Sequence, residues 1–331
     1  MRTGTLGRTD VPVTALGFGG AAIGNLYTPV GDEEAHLALD AAWDAGLRYF
    51  DTAPHYGLGL SERRIGEHLR GRPTGSYTLS TKVGRLLEPH NGGDDSAHGF
   101  AVPATTRRVW DFSAAGVRRS IEESLGRLGL DRIDVVYLHD PDDHAKEAFG
   151  EAYPELERLR GEGLVGAIGA GMNQSAMLTR FVRDTDVDVV LCAGRYSLLD
   201  QRALKQLLPA AVERGVSVVI GGVFNSGLLA DPQQGGTFDY ALAPPEVLAR
   251  ARRLKDLAER HGTTLRAAAL AFPFGHPGVT SVLVGTRSAA EVADTARQFS
   301  AEVPAAFWQE AGDTHLLPAD VPVPSEQESS A

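Results

Sequence analysis

Residues 113–139 read Ser113-Ala114-Ala115-Gly116-Val117-Arg118-Arg119-Ser120-Ile121-Glu122-Glu123-Ser124-Leu125-Gly126-Arg127-Leu128-Gly129-Leu130-Asp131-Arg132-Ile133-Asp134-Val135-Val136-Tyr137-Leu138-His139. A helical segment over Ser113–Leu128 runs into Gly129, the residue type a left-handed helix C-cap wants. A β-branched run, Ile133–Leu138, follows and stops at an imidazole. Asp111 and Ser113 supply N-cap candidates for the helix. The same unit recurs on both sides. Strand-like runs are Val13–Gly17, Leu47–Asp51, Tyr77–Lys82, Ile133–Leu138, Leu164–Gly169, Val187–Leu191, Val216–Ile220 and Ser281–Val284. Helical patterns cover Glu33–Ala45, Ser61–Leu69, Ser113–Leu128, Ala145–Arg160, Gln174–Arg183, Leu199–Arg214, Pro245–Arg260 and Ala289–Phe299. Such alternation predicts parallel βαβ units with right-handed crossovers. Eight of each close into a barrel more naturally than into an open sheet. The glycines of Gly17-Phe18-Gly19-Gly20-Ala21-Ala22 lack the G-x-G-x-x-G continuation that an open dinucleotide-binding sheet would show.

The expected fold is therefore α/β, a single-domain (β/α)8 barrel over residues 1–318. A tail at 319–331, rich in Pro, Ser and Glu, is expected to be poorly ordered. Two connections, residues 83–111 and 221–244, are too long for a turn and should form lids or disordered segments. Both follow strands, which puts them on the catalytic face of a barrel.

Composition narrows the partners. A formal net charge of −11 argues against nucleic acid or an anionic membrane surface as a partner. Cys192 stands alone, so neither an intrachain disulfide nor a cysteine metal cluster can form. The first residues lack the apolar core of a secretory signal, and no run is long enough to span a bilayer, so a cytoplasmic protein is expected. Histidines His90, His98 and His144 show no metal-ligand spacing and read as solvated, and no metal is expected. The acidic groups Asp94-Asp95 and Asp140-Asp142-Asp143 read as solvated loop charge.

Three consecutive strands end in ionisable residues: Leu47–Asp51, Tyr77–Lys82 and Ile133–Leu138 followed by His139. In a parallel barrel these ends meet on one face. Tyr56, in the loop after Asp51, can reach the same pocket. A free tyrosine has a pKa of about 10, too high for proton exchange near neutrality, and a neighbouring ammonium is expected to lower it. Asp51 would hold Lys82 in place, His139 would orient a carbonyl or hydroxyl oxygen, and Tyr56 would act as general acid or base. Such a site suits hydride transfer, in which a cofactor carries the redox chemistry. Gly285-Thr286-Arg287-Ser288 follows the last strand and opens a helix, a place suited to an anionic phosphate.

Asp51-Thr52-Ala53-Pro54-His55-Tyr56-Gly57, Ser80-Thr81-Lys82 and Tyr137-Leu138-His139 resemble the signatures of the aldo-keto reductase superfamily, over about Leu6 to Phe299. That resemblance implies a TIM barrel, a nicotinamide cofactor across its C-terminal face and a catalytic tetrad of Asp51, Tyr56, Lys82 and His139. Leu138-His139-Asp140-Pro141-Asp142, Ile168-Gly169-Ala170-Gly171-Met172-Asn173-Gln174 and Gly221-Gly222-Val223-Phe224-Asn225-Ser226-Gly227-Leu228-Leu229 resemble the sugar and pyridoxal dehydrogenases of that superfamily. Members of that branch oxidise the anomeric carbon of a cyclic aldose or a related alcohol. The implied cofactor contacts are Gly20, Asp51, Asn173, Tyr196, Phe224, Asn225, Gly227, Gly285, Thr286, Arg287, Glu291 and Thr295. By position His55, beside Tyr56, and Trp110, at the end of the long third loop, are candidate substrate contacts together with His139, and a surface or capping role stands equally beside the first. Where the family carries a Ser-Asn pair after the fifth strand this chain reads Met172-Asn173, and Ala193 replaces a glutamine three residues before Tyr196. Arg287 would favour NADP and Glu291 NAD, with the balance towards NAD. Bland readings stand beside these: Asp51–Lys82 as a rim ion pair, Trp110 as packing, Cys192 as a buried filler. A pyridoxal or general aldehyde/ketone reductase is the alternative within the superfamily, and a cofactor-binding sensor without turnover and a metal-dependent barrel hydrolase are the alternatives from other classes.

Overall fold

In the computed structural model, which describes residues 1–239 and 241–325, eight parallel strands close on themselves in sequence order. They are β1 (Leu16–Gly19), β2 (Tyr49–Asp51), β3 (Thr78–Val83), β4 (Val135–His139), β5 (Ala167–Met172), β6 (Val189–Ala193), β7 (Ser217–Gly221) and β8 (Val279–Gly285). The helices are α1 (Asp32–Asp44), α2 (Leu60–Leu69), α3 (Ala114–Leu128), α4 (Tyr153–Gly161), α5 (Ser175–Asp184), α6 (Leu207–Arg214), α7 (Pro245–Arg260), α8 (Leu265–Ala271), α9 (Ala289–Phe299) and α10 (Ala305–Asp313). The predicted (β/α)8 barrel is thus the observed one, a single domain.

The period of two along each strand sorts the core. Tyr49, Tyr137, Val135, Val189 and Val219 face inward and fill the barrel. Phe50, Val136, Leu138, Val190 and Ile220 face outward and pack on the helices. Two residues beyond inward-facing Tyr49 and Tyr137, the same alternation brings Asp51 and His139 to the inner rim of the barrel mouth. Register keeps those ends level: Asp51 pairs with Ser80, Lys82 with Tyr137, and His139 with Gly171. Ser113 caps α3 by accepting from the Gly116 N–H at 3.0 Å, and Gly129 ends it at φ 62°, as read from the sequence.

Four expectations are corrected. Val13–Gly17 is not one strand: Pro12–Thr14 pairs antiparallel with Thr3–Thr5 as a hairpin, and the barrel strand begins at Leu16. Ala145–Arg160 is not one regular helix. A π turn over Ala148–Ala152 precedes α4, because Pro154 has no N–H and its ring would strike the carbonyl one turn back, which a wider turn relieves. Leu199–Arg214 reduces to a 3-10 turn at Arg202–Lys205 and the short helix α6. Residues 83–111 are neither bare loop nor disordered: Arg85–Pro89 and Thr106–Trp110 form an antiparallel hairpin in register Arg85 to Trp110. Helices α8 and α10 had no counterpart in the sequence reading. Residues 319–325 carry no helix or strand, and the rest of the expected tail lies outside the described residues. No helix among the described residues is long and apolar enough to cross a membrane.

One glycine shows how tightly the wall is built. A Cβ on Gly169 of β5 would sit 1.7 Å from the Val189 carbonyl oxygen of β6. Backbone cannot retreat there without breaking the β5–β6 ladder. Gly169→Ala is expected to destabilise the protein by about 3 kcal/mol, read by urea unfolding. An unchanged midpoint would mean the two strands are further apart than described.

Candidate active site

The site starts from a buried ion pair. Lys82 Nζ donates to Asp51 Oδ2 at 2.7 Å and to the Thr52 carbonyl at 2.9 Å. Ser80 Oγ donates to the other Asp51 oxygen at 2.6 Å. The two charged side chains are 2% and 4% exposed, so neither is a solvated rim charge. Above them the Tyr56 ring centroid lies 4.7 Å from Lys82 Nζ. The His139 ring stands perpendicular to that of Tyr56, with centroids 5.9 Å apart, and the His55 ring is 5.5 Å from His139. A cavity of about 300 Å³ opens over this group, and Tyr56, Lys82, His55 and His139 line it. Asp51 lies beneath, holding Lys82.

Charge states follow from the surroundings. Burial pulls the Lys82 ammonium down, but the Asp51 carboxylate and the Tyr56 phenol outweigh it, and its pKa stands above the ordinary lysine value. The Tyr56 expectation needs correcting. Burial lifts the phenol above its usual range, the Lys82 charge opposes this, and Asp51 adds to the rise. The ammonium is shared with a carboxylate, so it cannot act on the phenol with its full charge. His139 is held well below the usual imidazole range by burial, then by the charges of Arg85 and Lys82. A phenol and a neutral imidazole therefore stand side by side at the floor of a polar cavity. That arrangement can grip one oxygen from two directions and pass it a proton. His139 Nε2 lies 3.6 Å from Asp140, while its buried Nδ1 has no partner.

The remaining sequence candidates divide. Asn173 lines the cavity, as does Ala193 at the position where the family carries glutamine. Tyr196 is fully buried against Phe272, ring centroids 5.0 Å apart, and lies outside the cavity lining. Trp110 also lies outside it; 45% exposed, it stacks on Phe112 and sits tilted against His144 with Arg85 over its ring, so it packs on the hairpin surface rather than in the cavity. Asn225 is committed internally, accepting from Ser197 Oγ at 2.5 Å, and Phe224 packs against the core. Gly227 sits in a turn at φ 93°. Gly20 is required by packing, since a Cβ there would meet Ser61 Oγ at 2.5 Å and the Asp51 carbonyl at 2.7 Å. In the loop at 285–288 Ser288 caps α9, and the Glu291 carboxylate accepts the Arg287 N–H at 2.8 Å. Thr286 Oγ1 and Arg287 Nε are buried and have no partner there. Thr295 lies with Thr286 beside a smaller cleft.

Sequence reasoning missed the wall of the cavity. Asp95 is not solvated: it is 4% exposed and paired with Arg108 through two contacts of 2.6 Å. Asp140 is not free either, being paired with Arg85 and lining the cavity with His98. Arginines in a loop carry no sequence signal for such pairing. The partners meet only once the hairpin folds. The Cys192 thiol is buried and pushed up to about 12, as suits a filler. Among the described residues no group of three or more His, Cys, Asp or Glu is arranged to hold a metal ion.

The aldo/keto reductase family model matches residues 15–312, and the chain belongs to that family. It is an oxidoreductase. It is 46% identical over 313 residues to the D-threo-aldose 1-dehydrogenase of a Pseudomonas species, covering 92% of this chain and 95% of that protein. It is 41% identical over 323 residues to the pyridoxal 4-dehydrogenase of Microbacterium luteolum, covering 92% and 94%. Among solved structures, an aldo-keto reductase from Bacillus halodurans in its holo form superposes with a TM-score of 0.76 at 26% identity, covering 100% of both chains.

Proposed function

We propose that the protein oxidises the anomeric carbon of a cyclic aldose with a nicotinamide cofactor, Tyr56 being the proton-transfer group. The observation that carries this is the Tyr56 phenol set between the buried Lys82 ammonium and the neutral His139 imidazole, at the base of a polar cavity. The relatives named for aldose and pyridoxal oxidation support the substrate class.

The residues present fit a dinucleotide. The Asn173 amide lines the cavity where a carboxamide would lie, and the buried Thr286 hydroxyl and Arg287 Nε have no internal partner at the opening of α9. Asn173 would hold one end of the cofactor, and Thr286 and Arg287 the phosphate end. When bound, the nicotinamide exchanges the hydride. The chain's own part is the proton and the geometry. Neutral His139 donates a hydrogen bond that orients the substrate oxygen. In reduction the Tyr56 phenol gives its proton to that oxygen and is left as a phenolate that Lys82 stabilises; in oxidation Tyr56 first releases its proton to solvent, and the phenolate beside Lys82 then takes the substrate hydroxyl's proton. Asp51 and Ser80 keep the ammonium in place. Glu291 supports a preference for NAD, because its carboxylate beside the phosphate loop would repel a 2′-phosphate.

A panel of fucose, arabinose, galactose, pyridoxal and simple aldehydes, run separately with NAD and NADP, tests the proposal at the nicotinamide absorbance band. Turnover of one or more aldoses, with kcat/KM about tenfold higher for NAD, is expected. Turnover confined to simple aldehydes would overturn the aldose assignment, and a preference for NADP would overturn the cofactor assignment.

A further inference from the structure

We infer that Arg108, anchored by Asp95, is a positioning residue that fixes His55 as a neutral imidazole with its hydrogen on Nε2, making that N–H a permanent donor to a substrate oxygen. The inference rests on the proposed reaction for its substrate, but its central claim concerns the resting protein.

The hydrogen-bond inventory leaves little freedom. Arg108 Nε donates to His55 Nδ1, and Arg108 Nη2 donates to the His55 carbonyl at 2.8 Å. Arginine has five N–H donors, accepts nothing and stays charged. Nδ1 must therefore be the bare nitrogen, and the imidazole hydrogen must sit on Nε2. The guanidinium cannot turn away to relax this. Its two terminal nitrogens each donate to one Asp95 oxygen at 2.6 Å, and the pair is 9% and 4% exposed. Asp95 is itself pinned in the tip of the hairpin, its N–H on the Val102 carbonyl at 3.0 Å and its own carbonyl taking the Phe100 N–H at 3.3 Å.

The charges facing His55 all act the same way. Lys82 comes from β3, Arg85 and Arg108 from the two hairpin strands and His98 from the hairpin tip, while the neutral His139 ring of β4 faces His55 without charge. Asp95 lies beyond Arg108 and is neutralised by it, and Asp140 is paired with Arg85. Burial, then Arg85 and Arg108, hold the imidazole down at about 2. Phe100 stands edge-on to the ring at 5.2 Å and fixes its plane. With Nδ1 occupied, Nε2 is the nitrogen left for the cavity that His55 lines. The ligand group opposite it must be an acceptor oxygen, a hydroxyl or a ring ether. An ammonium would be rejected.

The test uses the full chain with ¹⁵N-labelled histidine, without cofactor, and follows ring nitrogen–proton correlations from pH 5.5 to 9. The His55 signals are identified by their loss in His55→Gln. A single Nε2–H tautomer that does not titrate is expected. In Arg108→Met the Nδ1 constraint is gone: His55 should populate both tautomers, still without titrating, since burial and Arg85 remain. With fucose as the probe aldose, KM should rise about tenfold while kcat changes less than threefold. Arg108→Lys, still a pure donor, should restore the single tautomer and most of the KM. A His55 that carries its hydrogen on Nδ1 in the wild type, or that titrates near 6.5, would overturn the inference. So would an Arg108→Met protein with unchanged tautomer and KM. The wild-type spectrum decides alone if the methionine variant fails to fold. A substrate panel without aldose turnover sinks the proposed reaction and leaves the tautomer result standing.

Discussion

Tyr56→Phe is expected to lower kcat by about a thousandfold, within the range that general acid–base groups contribute. The substitution removes one oxygen and little else. The ring keeps its neighbours, His139 with centroids 5.9 Å away and Phe100 at 6.3 Å. Lys82 keeps its bonds to Asp51 and Thr52. Stability should therefore change by no more than about 0.5 kcal/mol, and cofactor affinity should be preserved. The defect belongs in kcat rather than KM, because the proton is exchanged in the transition state rather than on binding. Steady-state kinetics together with thermal unfolding separate the two effects. A phenylalanine variant with full turnover would remove Tyr56 from the mechanism.

Lys82→Met is expected to damage both activity and stability. Without the ammonium nothing stabilises the phenolate, and burial then acts on Tyr56 unopposed by a positive charge at 4.7 Å from its ring centroid. Turnover should fall by a factor similar to that for Tyr56→Phe. The same change strands a carboxylate that is 4% exposed, and breaking one side of a buried pair costs about 3–5 kcal/mol. The pH dependence has a definite sign. The folded pKa of Lys82 is raised above its unfolded value. Its stabilisation is complete below the unfolded lysine value of about 10.4 and is lost only as pH rises through the raised folded value. The stability gap between wild type and variant should thus be constant from pH 6 to 9 and shrink only in strong alkali. The double variant Asp51→Asn/Lys82→Met should recover most of the stability and none of the turnover. Denaturant unfolding of the three proteins at several pH values checks this. A single variant as stable as the wild type would mean the pair is solvated.

The barrel was legible because its signal is periodic and local. Apolar runs preceded by glycines such as Gly129 marked the strands, and the ionisable residues at three successive strand ends predicted a shared mouth. What stayed hidden depends on distance in sequence or on competition between groups. Nothing near Asp95 announces that Arg108 will neutralise it, so a buried ion pair looked like loop charge. The hairpin at 83–111 was masked by Gly, Pro and His, residues that usually mark irregular chain. Pro154 should have warned of the π turn, but the helical pattern on either side outweighed it. For Tyr56 the error lay in the balance of effects. The right neighbour was named, but the desolvation that outweighs it could not be read from spacing. Tyr196 shows a different limit: spacing gives the residue type at a position but not the packing around its ring.

The paired phenols of Tyr49 and Tyr137, 2.9 Å apart inside the barrel and fully buried, carry a consequence for proton traffic. Ser80 links them to Asp51, so a wire of hydroxyls leads down from the reaction centre. It ends in a stopper of Leu6, Val13 and Val135, and burial holds both phenols well above neutrality. Under the proposed reaction, hydrogen ions released by turnover would leave by the doorway the substrate uses rather than along these buried phenols. Catalysis and proton exchange with bulk water are then tied to the same opening event.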